Sequence, residues 1–321
     1  MMGSGETSPT MVTSHQNILK EFEPTAKRIL LDTPFGFQTN AEDLIARIQH
    51  YFDFNVGFRC TPLQFRSAQE AKNEEIESAD WVFSGPGSPS YALKVWRSAG
   101  TADSFKKVLE HGTLVLSSAA AISMGSHSLP VYEIYKVGDE PFWMEGLNIL
   151  EAATGLKAAV IPHYNNAEGG SHDTSICFVG EKRMQQLETL LPDDVFILGI
   201  DEHTGVRFDL ETKHTEVFGR GSMNIRMGGE RWEVPSGSSV PFSEIAAHAG
   251  TRLQAIVIEE VATKIATESP ATPFIDALIS MRNEARARGD YESSDQIRKK
   301  LTELGVEVHD GANGVTWNFT L

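Results

Sequence analysis

Cysteine is nearly absent from this chain, with only Cys60 and Cys177 among 321 residues. Two such distant thiols build no disulfide framework and no close metal-ligand pair, so a reduced, cytoplasmic setting is the expectation. Positive charge is also scarce: 28 Lys and Arg face 44 Asp and Glu, for a formal charge of −16. A broad nucleic-acid surface needs clustered cations to neutralise phosphates, which leaves room here only for a local basic patch. No run approaches the roughly 18 apolar residues of a membrane span, so no membrane partner is expected. The opening MMGSGETSPTMVTSHQNILKEF has neither a basic nor an apolar stretch, and no secretory leader is read there. What remains is ordinary globular material, 40% hydrophobic and 9% aromatic, which excludes a wholly disordered chain.

Strand, loop and helix signals then alternate. GSGE looks like the loop after a first strand, which is either very short or begins before Met1. RILL (28–31) is an apolar run before the turn-rich DTPFGFQTN, and Asn40 is the candidate cap of a helix through AEDLIARIQHYF. A strand is expected around 55–59, a helix over 66–76, and strand–loop–helix again in ADWVFSGPGSPSYALKVW. TLVLS, LKAAVIPHY and VFILGI are further buried-looking strands. This rhythm predicts a doubly wound, mostly parallel α/β sheet covered on both faces. From Gly205 to about Pro235 the short segments VRFDL, TEVFG, SMNIRM and RWEVP read as antiparallel hairpins at its edge. Helical patterning returns over 242–267. The expected organisation is an α/β domain at 1–267, a two-proline linker at 268–272, and a small helical-hairpin module at 273–321 closed by a β-hairpin.

The sharpest chemical signal is GTLVLSSAAAISMGS, an apolar strand that ends in two serines and runs at once into small residues. A serine at such a junction projects its hydroxyl over the sheet, where free N–H groups of the next helix stabilise developing negative charge. Ser117 and Ser118 both fit, as a nucleophile or as an ordinary helix cap. His163, at the end of LKAAVIPHY, is the best-placed base, with His172 and His203 as competitors. The candidate acids are Glu133, Asp139, Glu140, Glu168, Asp201 and Glu202, and composition does not rank them. In SGPGSPSY, Gly85 and Gly87 let the backbone approach a ligand, with Ser88 beside them. This loop lacks the P-loop Lys-Ser/Thr ending and the dinucleotide G-x-G-x-x-G pattern, so no nucleotide cofactor is expected. A metal reading would gather His163, His172, Asp173, Asp201 and His203, but their spacing matches no zinc signature, and no metal is expected.

SGPGSPSY, TLVLSSAAA, IPHY and GIDEHTG together resemble the serine-peptidase family that contains aspartyl dipeptidase and cyanophycinase. The resemblance covers roughly residues 1–240 and implies a flavodoxin-like or glutamine-amidotransferase-like fold. It also implies Ser118 as nucleophile, His163 as base, and Glu133, fifteen positions after the serine, as the acid. The N–H groups of Gly87 and Ala119 then form the oxyanion hole. Gly85, Ser88, Asp201 and Glu202 become orienting or substrate-side groups. Leu116 and Ala120 stand where that family carries glycine. The implied function is hydrolysis of a short peptide or small amide; the alternative is a catalytically silent amidotransferase-like domain that binds a small molecule, a protein or tRNA.

RNEARARGDYESSDQIRKKLTELGVEVHDGANGVTWNF is similar to the extreme C-terminal module of cysteinyl-tRNA synthetase, matching at Arg282, Glu284, Arg286, Asp295, Arg298 and Trp317 among others. No segment like H-I-G-H or K-M-S-K accompanies it, so tRNA charging is not expected. Six cations and eight carboxylates between Asp276 and Asp310 leave this segment at −2. Its roles are a structural appendage, packed through Phe274, Leu278, Met281, Leu301 and Trp317, a protein or homodimer contact, or a tRNA contact through a segregated patch.

Overall fold

The computed structural model describes residues 1–250, 272–303, 306–311 and 314–319. Two units pack internally, Met1–Thr251 and Arg252–Leu321. Of the expected linker, only Thr272 lies within the described residues, where it opens a helix.

Four parallel strands form the first sheet of the larger unit: β1 (Arg28–Leu31), β2 (Thr61–Leu63), β3 (Trp81–Ser84) and β4 (Thr113–Leu116), in the order β2-β1-β3-β4. Their apolar side chains alternate between two cores, which is why the runs read as continuously hydrophobic. Ile29, Leu31, Val82 and Leu116 pack on one face with Trp96 and Phe105. Leu30, Trp81, Phe83 and Val115 pack on the other with Met11, Leu19 and Phe52. Helices α1 (Val12–Leu19), α2 (Ala41–His50), α3 (Asn73–Glu77), α4 (Pro89–Ser98) and α5 (Thr101–Leu109) supply the covering residues.

A second, mixed sheet contains β5 (His127–Ser128), β6 (Met144–Glu145), β7 (Ala158–Ile161), β8 (Phe196–Ile200), β11 (Ser222–Met227) and β12 (Glu230–Pro235). Its order is β12-β11-β8-β7-β5-β6, with β7 and β8 parallel and β11 antiparallel to β8. The strands β9 (Thr204–Asp209), β10 (His214–Gly219) and β13 (Ser239–Pro241) form an antiparallel trio. The expected antiparallel edge is therefore present, shared between two sheets. Met2 bridges Ser117 in parallel and Gly205 in antiparallel fashion. Shorter helices α6 (Ala119–Ile122), α7 (Ile149–Thr154), α8 (Gly180–Thr189) and α9 (Phe242–His248) complete the unit. Helical patterning beyond His248 falls largely outside the described residues. Among the described residues no helix is long and apolar enough to cross a membrane.

Three local expectations change. The chain does not turn to a strand at 55–59: a wide helical turn over Tyr51–Val56 extends α2, and Gly57 ends it at φ 88°. The helix expected over 66–76 shrinks to α3. Asn40 makes no side-chain capping bond.

The smaller unit pairs α10 (Thr272–Ala287) and α11 (Tyr291–Glu303) with a hairpin of β14 (Val306–Gly311) and β15 (Gly314–Phe319). Ile275, Ile279, Leu301, Val306 and Val308 form its core, with Leu278 partly buried against them. Of the expected stripe Phe274, Leu278, Met281 and Ala285, Ala285 is buried and Leu278 partly so, whereas Met281 is exposed. Arg282 takes the inward place and is buried, which removes it from any surface patch. The side chains of Phe274 and Trp317 lie outside the described residues.

Candidate active site

At the end of β4 the backbone turns sharply: Ser118 has φ 49° and ψ −119°, a conformation unfavourable for an L-residue, and α6 begins at Ala119. The turn is held from several sides. Ser117 N–H donates to the Ser84 carbonyl at 3.0 Å, Ser118 N–H to that of Met2 at 3.2 Å, and Ala120 N–H to that of Gly85 at 3.3 Å. Positive φ falls on Ser118 and not on Leu116 or Ala120, so the side chains at those two positions meet no dihedral conflict. Ala120 instead fills the core. Ala119 opens the helix, and its N–H is among the first-turn donors that have no intrahelical acceptor.

His163 follows β7, also at positive φ (49°). Its Nε2 lies 3.1 Å from Ser118 Oγ and its Nδ1 lies 3.0 Å from Glu202 Oε1. The Glu202 carboxylate also accepts from Asn166 Nδ2 at 3.1 Å, and its backbone N–H donates to Asn165 Oδ1 at 2.8 Å. Burial would raise the Glu202 carboxyl, but the bonds from His163 and Asn166 outweigh it and hold the group below its usual range. An ionised carboxylate only accepts, so Nδ1 carries the imidazole proton and Nε2 is left to accept from the serine hydroxyl. Phe178 packs against the ring, with centroids 5.6 Å apart.

The loop after β3 meets the serine turn through the Gly85 carbonyl. Gly87 has φ 143°, and a Cβ there would sit 2.0 Å from the Pro34 carbonyl oxygen. Ser88 N–H donates to that same carbonyl at 2.8 Å, pinning the loop to the turn after β1. Ser88 Oγ caps α4 by accepting from Tyr91 N–H at 3.2 Å, and so has a structural duty.

Glu133 stands elsewhere. Its Oε1 accepts from Ser90 Oγ at 2.6 Å, and the carboxylate on His163 is Glu202. The count along the chain led to a residue that this fold turns toward α4. Asp201 accepts from Ser222 N–H at 2.9 Å and Asn224 Nδ2 at 3.1 Å, tying the end of β8 to β11. Burial raises its carboxyl above the ordinary value, against those bonds. His172 stacks on Tyr135, and His203 Nδ1 lies 3.2 Å from Thr10 Oγ1. Among the described residues no three His, Cys, Asp or Glu side chains gather as a metal site.

Residues 1–215 match peptidase family S51. The chain belongs to that family. A solved structure of similar fold, a peptidase from an acI-B1 Actinobacterium, superposes with a TM-score of 0.57 at 20% identity, covering 75% of this chain and 94% of that one. Residues 271–317 match the cysteinyl-tRNA ligase anticodon binding domain. Cysteine–tRNA ligase from Coxiella burnetii (strain Dugway 5J108-111) is 51% identical over 43 residues, 13% of this chain and 9% of the ligase. The ligase from Pasteurella multocida (strain Pm70) is 45% identical over 51 residues, 16% of this chain and 11% of its own length. The chain thus spans about a tenth of these ligases. In this S51 chain, the pairing missed from sequence is Glu202 with His163; its signal was the strand-end position of GIDEHTG beside IPHY.

Proposed function

We propose that the chain is a serine peptidase acting on short peptides or small amides, with Ser118 as nucleophile, His163 as general base and Glu202 as the carboxylate that orients it. The observation carrying this reading is the unbroken chain from Ser118 Oγ through both ring nitrogens of His163 to Glu202 Oε1, at 3.1 and 3.0 Å. His163 takes the proton as Ser118 Oγ attacks the carbonyl carbon, and returns it to the leaving amine. Glu202 stabilises the imidazolium formed in between. The N–H groups of Ala119 and Gly87 are assigned to the oxyanion. The strained Ser118 backbone supports the reading, because such geometry persists only where its surroundings impose it. A fluorophosphonate probe should label the protein, and Ser118→Ala should abolish labelling. Labelling of that variant at the wild-type rate removes Ser118 from its role; an unlabelled wild type points to a catalytically silent binding domain.

For the tail, the similarity to an anticodon binding domain supports contact with tRNA through its exposed cations, which include Arg288, Arg298 and Lys299. The acidic remainder of the chain opposes this at long range, so affinity should fall steeply with salt. Affinity for tRNA lost in a chain ending at Pro270 supports the contact. Equal binding by both chains, or none by either at low salt, removes it.

A further inference from the structure

Between β7 and α8 the chain takes a conformation that a Ser-His-Glu arrangement does not by itself require. Ile176, Cys177 and Phe178 stand in succession at φ 54°, 55° and 68°, a left-handed turn built without glycine. Three such residues in a row, one of them β-branched, persist only where packing and hydrogen bonds impose them. The packing comes from Ile176 and Cys177, both buried in a core with Ile161 of β7 and Ile197 of β8. The hydrogen bonds go to the strand end that carries the imidazole. Cys177 N–H donates to the His163 carbonyl at 3.0 Å and Ile176 N–H to that of Tyr164 at 2.9 Å. Asn166 N–H gives the His163 carbonyl a second bond, at 3.1 Å. His163 itself has φ 49°, so one unfavourable backbone segment clamps another. The same turn aims a side chain at the site: the Phe178 ring lies 5.6 Å from the imidazole, tilted by 49°, and Tyr135 backs it at 5.6 Å.

We propose that Phe178 is a positioning residue for His163: the left-handed turn sets its ring against the imidazole, which keeps Nδ1 on Glu202 and Nε2 on Ser118. The imidazole hangs on two rotatable bonds and its side chain is 19% exposed, so water competes for both ring nitrogens. A hydrocarbon neighbour removes the competing rotamers and offers no donor or acceptor that could capture a ring nitrogen. Bulk at the right place is what the role demands, and the turn supplies the place. The proposal rests on the peptidase reading for its consequence in rate; the placement of the imidazole is measurable in a protein that hydrolyses nothing.

Two variants of the full chain separate ring from turn. Phe178→Gly deletes the ring while glycine suits the φ of 68°, so the turn survives; Phe178→Leu keeps apolar bulk at the same place. The first readout is the downfield proton resonance of the His163 Nδ1–H held by Glu202, assigned by its loss in His163→Gln. It should be sharp in the wild type, broadened or absent in Phe178→Gly, and recovered in Phe178→Leu. The second is labelling by a fluorophosphonate probe, resolved into KI and the rate of bond formation at saturation. That rate should fall about 10–100-fold in Phe178→Gly with KI within about 2-fold, the loss expected when a reacting group is misplaced without a change in binding, and Phe178→Leu should recover most of it. A Phe178→Gly protein that keeps both the resonance and the rate overturns the proposal. So does a wild type without the resonance, a Phe178→Leu protein no better than Phe178→Gly, or a raised KI at unchanged rate, which would make the ring a wall of the binding site. A wild type that shows the resonance yet is never labelled sinks the peptidase reading, and loss of the resonance in Phe178→Gly then still supports the positioning role.

Discussion

Replacing Glu202 with glutamine tests the chemistry at its most specific point. The substitution preserves size, and the Asn166 and Asn165 contacts can persist, so the fold should survive. Two things are lost. The first is the negative charge 3.0 Å from His163 Nδ1. A unit pair at about 4 Å in an effective dielectric near 20 is worth about 4 kcal/mol, and both side chains are less than a third exposed, at 19% and 27%. That energy corresponds to ~10³-fold in rate. The second loss is the tautomer. A glutamine amide can donate to Nδ1, which leaves Nε2 protonated and unable to accept from Ser118. The analogous substitution in a Ser-His-Asp triad lowers kcat about 10⁴-fold, so a fall of ~10³–10⁴ is expected here. The assay is the second-order rate of fluorophosphonate labelling with kcat/KM for a short peptide, between pH 6 and 9, on protein whose circular dichroism matches the wild type. Glu133→Gln serves as the comparison and should stay within about 10-fold, because its carboxylate meets Ser90 and not the imidazole. If Glu133→Gln falls by 10³ while Glu202→Gln stays near wild type, the reasoning from this geometry fails.

Three further outcomes follow from the same structure. Gly87→Ala places a Cβ 2.0 Å from the Pro34 carbonyl at a φ of 143°, and should cost roughly 3 kcal/mol or more, read as a clear drop in Tm; an unchanged Tm would show that the loop can move off the β1 turn. Burial lowers His15 to about 4, against its bond to the Glu6 carbonyl. Its folded value lies below the unfolded 6.5, so its contribution is complete above pH 6.5 and is lost as pH falls to 4, by about 3 kcal/mol in all. Thermal melts from pH 4.5 to 7.5 should show that slope, and His15→Gln should flatten it. Burial pushes the Cys60 thiol up to about 12 and Cys177 higher still, so iodoacetamide should modify neither until the protein is denatured; fast alkylation of native protein would contradict their burial.

The order of chemistry along the chain was legible before any fold. Continuous apolar runs such as RILL and VFILGI announce strands buried on both faces, and the strand-ending serines and histidine mark where loops must carry function. What the linear chain leaves open is which loop ends meet. The register Ile161 to Gly199 lays β7 beside β8, so the residues just beyond each strand, His163 and Glu202, become neighbours. Nothing within one segment specifies that register, and fifteen positions after Ser118 the chain instead arrives at Ser90's partner, Glu133. Backbone strain is decided the same way. Leu116 and Ala120 stand where a sequence pattern asks for glycine, yet the tertiary contacts of Ser117, Ser118 and Ala120 place the whole unfavourable dihedral on Ser118. In the tail, helical period was clear but the exact centre of the buried face was not: Leu278, Met281 and Ala285 fit one stripe, Ile275, Ile279 and Arg282 its neighbour. Packing against α11 and the hairpin centred the face on the second, keeping Ala285 and part of Leu278 inside while burying an arginine and exposing Met281. Sequence carries propensity and period within a segment; only the meeting of segments sets register, facing and the partner of each charge.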